Sequence, residues 1–367
     1  MLRVKPGEGN NLMRKYVIPN IRLGATSFLL HETYVPAVRF AAERCDDVAL
    51  LLVEPGERNE YLATPGEIAE IGRIIAGERA TLHVHLPTDA DFDTWEGARS
   101  MIGKIRRVAE LTGPLDPHSF VLHVDFPSLH GTGGEPSAEQ QEWTAEALLE
   151  IAACLPAPER LAVENLETYA PSFWDRWLAG TPYSRCLDVG HIWKDGGDPA
   201  PVLAAWLPRV RVIHLHGLEP RGSEADAAKP QGQQKAPEKL AERNLSRLFG
   251  PRPRDHKSLR LMPPEFVDDV MHPLWKTGFS GVLNLEVFSV EDFTASHAVL
   301  MQSWERYAAS SYGKLGRGGR DFLQKVPSSP PQTPPLHLQR LLALSNPFSH
   351  VFSSMGEAFT LSMKMII

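Results

Sequence analysis

The stretch RCLDVGHIWKDGGDP, residues 185–199, opens on an apolar run, delivers Asp188 and His191 three positions apart, and breaks into Gly196, Gly197 and Pro199. A short apolar run bounded by Gly and Pro reads as a buried strand. This one ends by presenting a carboxylate and an imidazole. The same profile recurs in RLGATSF (22–28), DVALLLVEP (47–55), TLHVHLP (81–87), SFVLHVDFP (119–127), RLAVENLE (160–167), RVRVIHLHG (209–217) and GVLNLEVF (281–288), which with 185–191 makes eight runs. Between them lie segments of helical spacing. TPGEIAEIGRIIAG (64–77) starts with Thr64, Pro65 and Glu67, a capping-box start, and sets Ile68, Ile71, Ile74 and Ile75 on one face. Residues 94–111, 137–155, 264–275 and 292–310 follow the same pattern. Near-continuous apolar strands alternating with amphipathic helices predict a parallel sheet covered by helices. Eight such units predict an α/β fold closed as a (β/α)8 TIM barrel. The first strand ends GATSFLL, without the GxGxxG loop of a dinucleotide-binding sheet.

The barrel is expected over residues 21–312, after an N-terminal extension (1–20). A long insert after strand seven (218–260) is rich in Lys, Arg, Gln, Gly and Pro. Residues 313–367, Pro/Gly-rich at first, read as a poorly ordered linker and tail of no assigned role. The 367 residues carry a net charge of −7, which advertises no nucleic-acid partner. Cys45, Cys154 and Cys186 are far apart and odd in number, so no disulfide framework is expected and a cytoplasmic setting fits. The N-terminus lacks the apolar region of a signal peptide, and no stretch approaches the roughly 18 apolar residues of a membrane span.

Catalysis in a TIM barrel sits at the C-terminal ends of the strands. Those ends carry Glu54; His83 and His85; His123 and Asp125; Glu164, Asn165 and Glu167; Asp188 and His191; His214 and His216; and Glu286. After the insert come Asp255, His256 and Lys257. A single His or Asp in a strand is more often a satisfied structural group. Six strands bringing such residues to one level are better explained by divalent cations, which supply the positive charge that clustered carboxylates need. Imidazole and carboxylate donors suit Zn, Mn or Fe(II), one to three ions, and no cysteine belongs to the ring by spacing. His83, one pleat deeper than His85, reads as a partner behind the ligands, and His216, one pleat further out than His214, as a substrate contact. Trp193 and Trp275 read first as core.

The pattern resembles the xylose isomerase-like TIM barrel superfamily, which includes apurinic endonucleases and sugar isomerases and epimerases. The resemblance covers about residues 20–310. It implies metal ligands at His85 (HLP), His123 (LHVD), Glu164 (VENLE, bridging), Asp188 and His191 (LDVGH), His214 (IHLHG) and Glu286 (NLEVF). The endonucleases carry D-x-H after strand seven; RDHKSL places His256 there, with its Asp shifted by one. VENLE, CLDVGHIWKDGGDP, HLHG and DHKSL together look like the cobamide-remodelling phosphodiesterases of the CbiR type. That resemblance implies hydrolysis of the phosphoester in a cobamide's nucleotide loop, giving cobinamide phosphate and an α-riboside. Glu164, Glu286, His191 and His256 would then be catalytic, with Lys257 a phosphate contact. The rival expectation is a sugar isomerase or epimerase, with Glu164 and Glu286 as general bases. An apurinic endonuclease and a non-catalytic ligand-binding barrel stand behind these. The expected partner is a small molecule, a cobamide or a phosphorylated, sugar-like ligand, with no membrane.

Overall fold

A computed structural model of the chain describes residues 15–52, 62–221, 248–250 and 253–315. Eight parallel strands close a barrel: β1 (Arg22–Thr26), β2 (Asp47–Leu51), β3 (Thr81–His85), β4 (Phe120–Leu122), β5 (Leu161–Glu164), β6 (Ser184–Asp188), β7 (Val210–Leu215) and β10 (Val282–Leu285). Their order around the barrel is β1-β10-β7-β6-β5-β4-β3-β2, so every one of the eight apolar runs is a strand and the sheet has no free edge. The remaining pair, β8 (Gly217–Glu219) and β9 (Arg254–Lys257), forms a small antiparallel sheet at the two ends of the insert. Residues 222–247 of the insert, Glu54, and the tail from 316 onward lie outside the described residues.

The outer layer is α1 (Tyr34–Ala42), α2 (Pro65–Glu78), α3 (Trp95–Thr112), α4 (Ala138–Ala153), α5 (Asp175–Leu178), α6 (Val189–Lys194), α7 (Pro199–Trp206), α8 (Pro264–Thr277) and α9 (Val290–Leu315). α2 starts where the Thr64 side chain accepts from Glu67 N–H and the Glu67 carboxylate accepts from Thr64 N–H. Each reciprocal bond satisfies a donor that the helix end would leave bare. Ile68, Ile71 and Ile74 are buried against the barrel. α4 repeats the device with Ser137 and Gln140. α9 runs on to Leu315, past the expected boundary at 312. The supposed N-terminal extension is partly core, since Ile18 is buried and Tyr16 Oη lies 3.1 Å from Thr294 Oγ1. Trp193 is buried, and Trp275 Nε1 donates to Pro19 O at 2.9 Å, so both tryptophans pack the core as first read. Among the described residues, no helix is long and apolar enough to cross a membrane.

Because side chains alternate along a strand, each inward residue sits one pleat above another two positions earlier. Val121, Ala162, Cys186 and Val212 form a small buried cluster. They lie two residues before His123, Glu164, Asp188 and His214 respectively, and so make the floor beneath those side chains. Deeper still, near the N-terminal ends of β2 and β3, a polar plug fills the barrel. Asp47 Oδ1 is 2.5 Å from His83 Nδ1, and Asp47 Oδ2 is 3.0 Å from His118 Nε2 and accepts from Thr81 Oγ1 at 2.5 Å. Burial opposes the Asp47 charge, but His83 and His118 outweigh it and hold the carboxyl well below its usual range. A group depressed in this way stabilises the fold above its unfolded pKa, and that stability is lost as pH falls through the folded value. Asp47→Asn is therefore expected to cost about 3–5 kcal/mol, the usual result of removing one partner of a buried pair. It should also flatten the acid limb of a stability–pH curve measured by urea unfolding. An unchanged midpoint at pH 7 would show that the plug contributes nothing.

Candidate metal centre

The strand ends deliver their polar side chains to one rim. Glu164, at the end of β5, is the hub. His85 Nε2 is 3.3 Å and His123 Nε2 3.1 Å from its Oε2, and His214 Nδ1 is 3.0 Å from its Oε1. His214 Nδ1 is also 3.1 Å from Glu286 Oε2 and 3.9 Å from Asp188 Oδ2. Glu164, Asp188 and His214 are buried, whereas His123, Glu286 and His256 keep some exposure, so the centre is closed below and open toward solvent.

Backbone contacts fix several imidazoles. His85 Nδ1 lies 2.9 Å from Leu86 O, His191 Nδ1 2.9 Å from Asn165 O, and His256 Nδ1 3.2 Å from Glu286 O. A carbonyl only accepts, so Nδ1 carries the proton in each ring and Nε2 offers a lone pair. This is the arrangement that orients histidine ligands in metal sites. It also sets two pairs of acceptors face to face: His85 Nε2 against Glu164 Oε2, and His191 Nε2 against Glu167 Oε2, each at 3.3 Å. Such pairs attract only with a proton or a cation between them.

Charge follows the same logic. Burial opposes ionisation of Glu164, but His214 and His123 outweigh it and hold the carboxyl well below the usual range. Glu286 is depressed too, against burial, chiefly by His214. Burial likewise opposes the charge of His191, yet Asp188, Glu167 and Glu164 push its pKa up to about 10. The carboxylates are thus held ionised and His191 protonated by the same clustering of charge that a divalent cation would balance. Ligand-like groupings with donor atoms within 4.8 Å of one another at this rim include His85, His123 and Glu164; His85, His214 and Glu286; and His191, His216 and His256. The donor set fits divalent ions, because Asp188 Oδ2 is a buried carboxylate oxygen with no hydrogen-bond partner beside those imidazoles.

Asp188 ends β6 and starts α6. Its Oδ1 accepts from His191 N–H at 2.7 Å, an N-cap that explains the D-x-x-H spacing in the opening stretch. Asn165 clamps the same turn, accepting from Asp188 N–H at 2.9 Å and donating to Asp188 O at 2.8 Å. Lys257, by contrast, is not drawn into the ring. It sits in β9, 4.0 Å from Glu219 Oε2. Asp255 is buried and bonded to Lys194, which also reaches Glu167 Oε1 at 2.9 Å. The shifted Asp thus ties the end of the insert to α6 through Oδ2, while its buried Oδ1 has no hydrogen-bond partner.

Two expectations need correction. His216 is fully buried, so it cannot meet a substrate at the mouth; its ring is covered by α6 and by His256. Cys186, excluded from the ring on spacing, brings its sulfur within 4.8 Å of donor atoms of Glu164 and His214, because the β6 pleat points it inward beneath Asp188. Burial, the largest cause, raises the Cys186 thiol, which keeps it protonated. Sequence reasoning also passed over a rim network. His130 Nε2 lies 2.7 Å from Asp125 Oδ1, to which Tyr169 Oη donates at 2.7 Å. Asp125, two residues past His123, was its only visible signal. Lys194 was missed for want of any motif.

A closed parallel barrel with imidazoles and carboxylates gathered at its C-terminal rim is the class that fold and site define. No protein-family model and no curated protein matches the chain. Solved structures do. A D-tagatose 3-epimerase-like protein is 16% identical, with a TM-score of 0.51 over 79% of this chain and 100% of that one. A xylose isomerase domain protein from Planctomyces limnophilus is 11% identical, with a TM-score of 0.53 over 79% and 98%. A D-allulose 3-epimerase from Methylomonas sp., solved with D-allulose, is 11% identical, with a TM-score of 0.51 over 79% and 96%. At these identities the likeness is one of fold. It shows the barrel fold alone, and none of the three is named as a cobamide phosphodiesterase.

Proposed function

We propose that the protein is a divalent-metal enzyme that isomerises or epimerises a sugar-like, oxygen-rich substrate at this rim. The observation that carries the reading is the approach of Glu164 and Glu286, from either side of β7, to one nitrogen of His214. His85, His123, Glu164, Asp188, His214 and Glu286 would hold one or two ions, with His191 and His256 close by. A bound ion supplies Lewis-acid polarisation of substrate oxygens. The chain's own part is proton movement and positioning. Glu164 and Glu286, both held ionised, are able to take a proton from carbon or hydroxyl and return it. Asn165 and the α6 N-terminus hold Asp188 still. The printed names of the similar solved structures, sugar epimerases and a xylose isomerase domain protein, support this substrate class.

One observation favours a second reading, hydrolysis of a phosphoester such as that in a cobamide nucleotide loop. His85 and His123 converge on Glu164 Oε2 while His214 meets Oε1, and this donor set would hold one or two ions, which would neutralise phosphoryl oxygens. His191 and His256 would then face the phosphoryl group. The test is a parallel assay of protein reconstituted with Mn(II), Co(II) or Zn(II). Ketoses and ketose phosphates in D2O are followed by NMR for new epimers and for deuterium at carbon; bis(p-nitrophenyl) phosphate and adenosylcobalamin are followed for cleavage. Deuterium exchange with isomer formation is the expected result. Phosphoester cleavage without any exchange would replace the first reading by the second.

A further inference from the structure

We propose that Asp125 and His130 form a hydroxyl-binding pair at the mouth of the barrel and hold the end of the substrate that lies away from the ions. The proposal rests on the sugar-like reading of the site, which leaves one task without residues. Glu164 and Glu286 act at the reacting end of an oxygen-rich chain, whereas its remote end must be fixed by groups further up the rim. Burial alternates through the residues that follow β4 and shows which groups those are. Val124 and Phe126 are buried in the helical layer, where Trp174 Nε1 donates to Val124 O at 3.1 Å and Phe126 stacks on Trp177. His123 and Asp125 face the other way, toward the barrel axis, and keep some exposure. His123 is the one that reaches Glu164. Asp125 stands one pleat above it, about 7 Å nearer the solvent, a span that a short polyol resting at the centre would bridge.

Three βα loops hold the pair in place. Asp125 Oδ1 accepts from His130 Nε2 and from Tyr169 Oη, each at 2.7 Å. Tyr169, from the loop after β5, is buried, and Phe126 N–H donates to its oxygen at 3.0 Å. The segment that carries His130 is pinned to the loop after β3, because Ser128 donates its N–H at 2.7 Å and its hydroxyl at 2.5 Å to Asp93. It then turns back through Gly131 and Gly133, whose φ values of 67° and 66° suit glycine. The His130 side chain is 48% exposed and is nevertheless fixed by a carboxylate whose own position is fixed. An exposed ring braced from behind is a presented ring.

Both bonds fall on Asp125 Oδ1. Among the described residues, Asp125 Oδ2 and His130 Nδ1 have no partner. A carboxylate oxygen accepts from a hydroxyl, and an imidazole nitrogen exchanges a hydrogen bond with one, so the two free atoms suit a polyol. The carboxylate also sets what the pair refuses, because a phosphate brought to the same place meets like charge. The remote end of the substrate is therefore a hydroxyl and not a phosphate.

Carbon–proton spectra of the full chain in the presence of Zn(II) test the pair. The His130 Cε1–Hε1 signal, identified by its loss in His130→Gln, should move and saturate as D-fructose or D-ribulose is added, and should move far less with their terminal phosphates. No movement with either free ketose, or tighter binding of the phosphates, overturns the proposal. Asp125→Asn keeps the shape and removes the charge, so it should narrow the preference for free ketose over phosphate about tenfold. An unchanged preference in the folded variant rejects the role of Asp125. Where the D2O assay gives turnover, His130→Ala should raise KM about tenfold and leave kcat and the melting temperature nearly unchanged, the pattern of lost binding that is equal in ground and transition states. A wild-type KM, or a loss in kcat alone, rejects the role of His130. If no ketose exchanges deuterium, the isomerase reading falls, and the ketose titration still decides the pair.

Discussion

Glu164→Gln is expected to lower kcat by about a hundred- to ten-thousand-fold, the range that general acid–base groups contribute. The substitution preserves shape and removes one charge. In the wild type that charge faces His85, His123 and His214 at 3.0–3.3 Å and outweighs the cost of burial. A neutral amide cannot bridge ions, and it cannot take a proton. His214 would keep Glu286 at 3.1 Å, and His85 would keep Leu86 O at 2.9 Å, so the rings should hold their places. The fold itself should persist, because the strands close without this side chain. The check is steady-state kinetics beside metal content and circular dichroism. Turnover at the wild-type rate in a folded variant carrying its full metal complement would remove Glu164 from the chemistry under either reading of the function.

Removing divalent ions should abolish turnover and lower the melting temperature. Glu164, Asp188 and Glu286 lie around one buried imidazole, and without a cation their charges are balanced only by protons on the histidines. A ligand present at 100 times its Kd stabilises the folded state by about 2.7 kcal/mol. At about 2–4 °C per kcal/mol for a domain approaching this size, the melting point should fall by roughly 5–10 °C. Calorimetry before and after exhaustive chelation, then with Mn(II), Co(II) or Zn(II) restored, measures this. Full activity and an unshifted transition after chelation would dismiss the ions altogether. The shift should grow with pH from 5 to 8: protons compete for imidazole nitrogens, among them His214, raised well above its usual value, and His191, pushed up to about 10.

The chain's own order announced the barrel and most of the rim. Eight apolar runs of strand length, separated by helices with readable caps at Thr64 and Ser137, leave little choice of architecture. Period-two alternation then says which residues share a face, which gathers His85, His123, Glu164, Asp188, His214 and Glu286 from the sequence alone. Tertiary structure decided what alternation cannot express. Whether an inward residue is a ligand, a floor or a clamp depends on what faces each of its polar atoms across the barrel. Cys186 became floor beneath Asp188 because of pleat depth. His216, expected further out, is buried, its Nδ1 facing an amide forty residues on, on a strand that pairs with β8 only after a long insert. Asp255 went to Lys194, and Lys257 to the margin beside Glu219. Local sequence sets a residue's face and level through the backbone's own geometry. Its hydrogen-bond partners come from segments distant in the chain, and they exist only once the cylinder has closed.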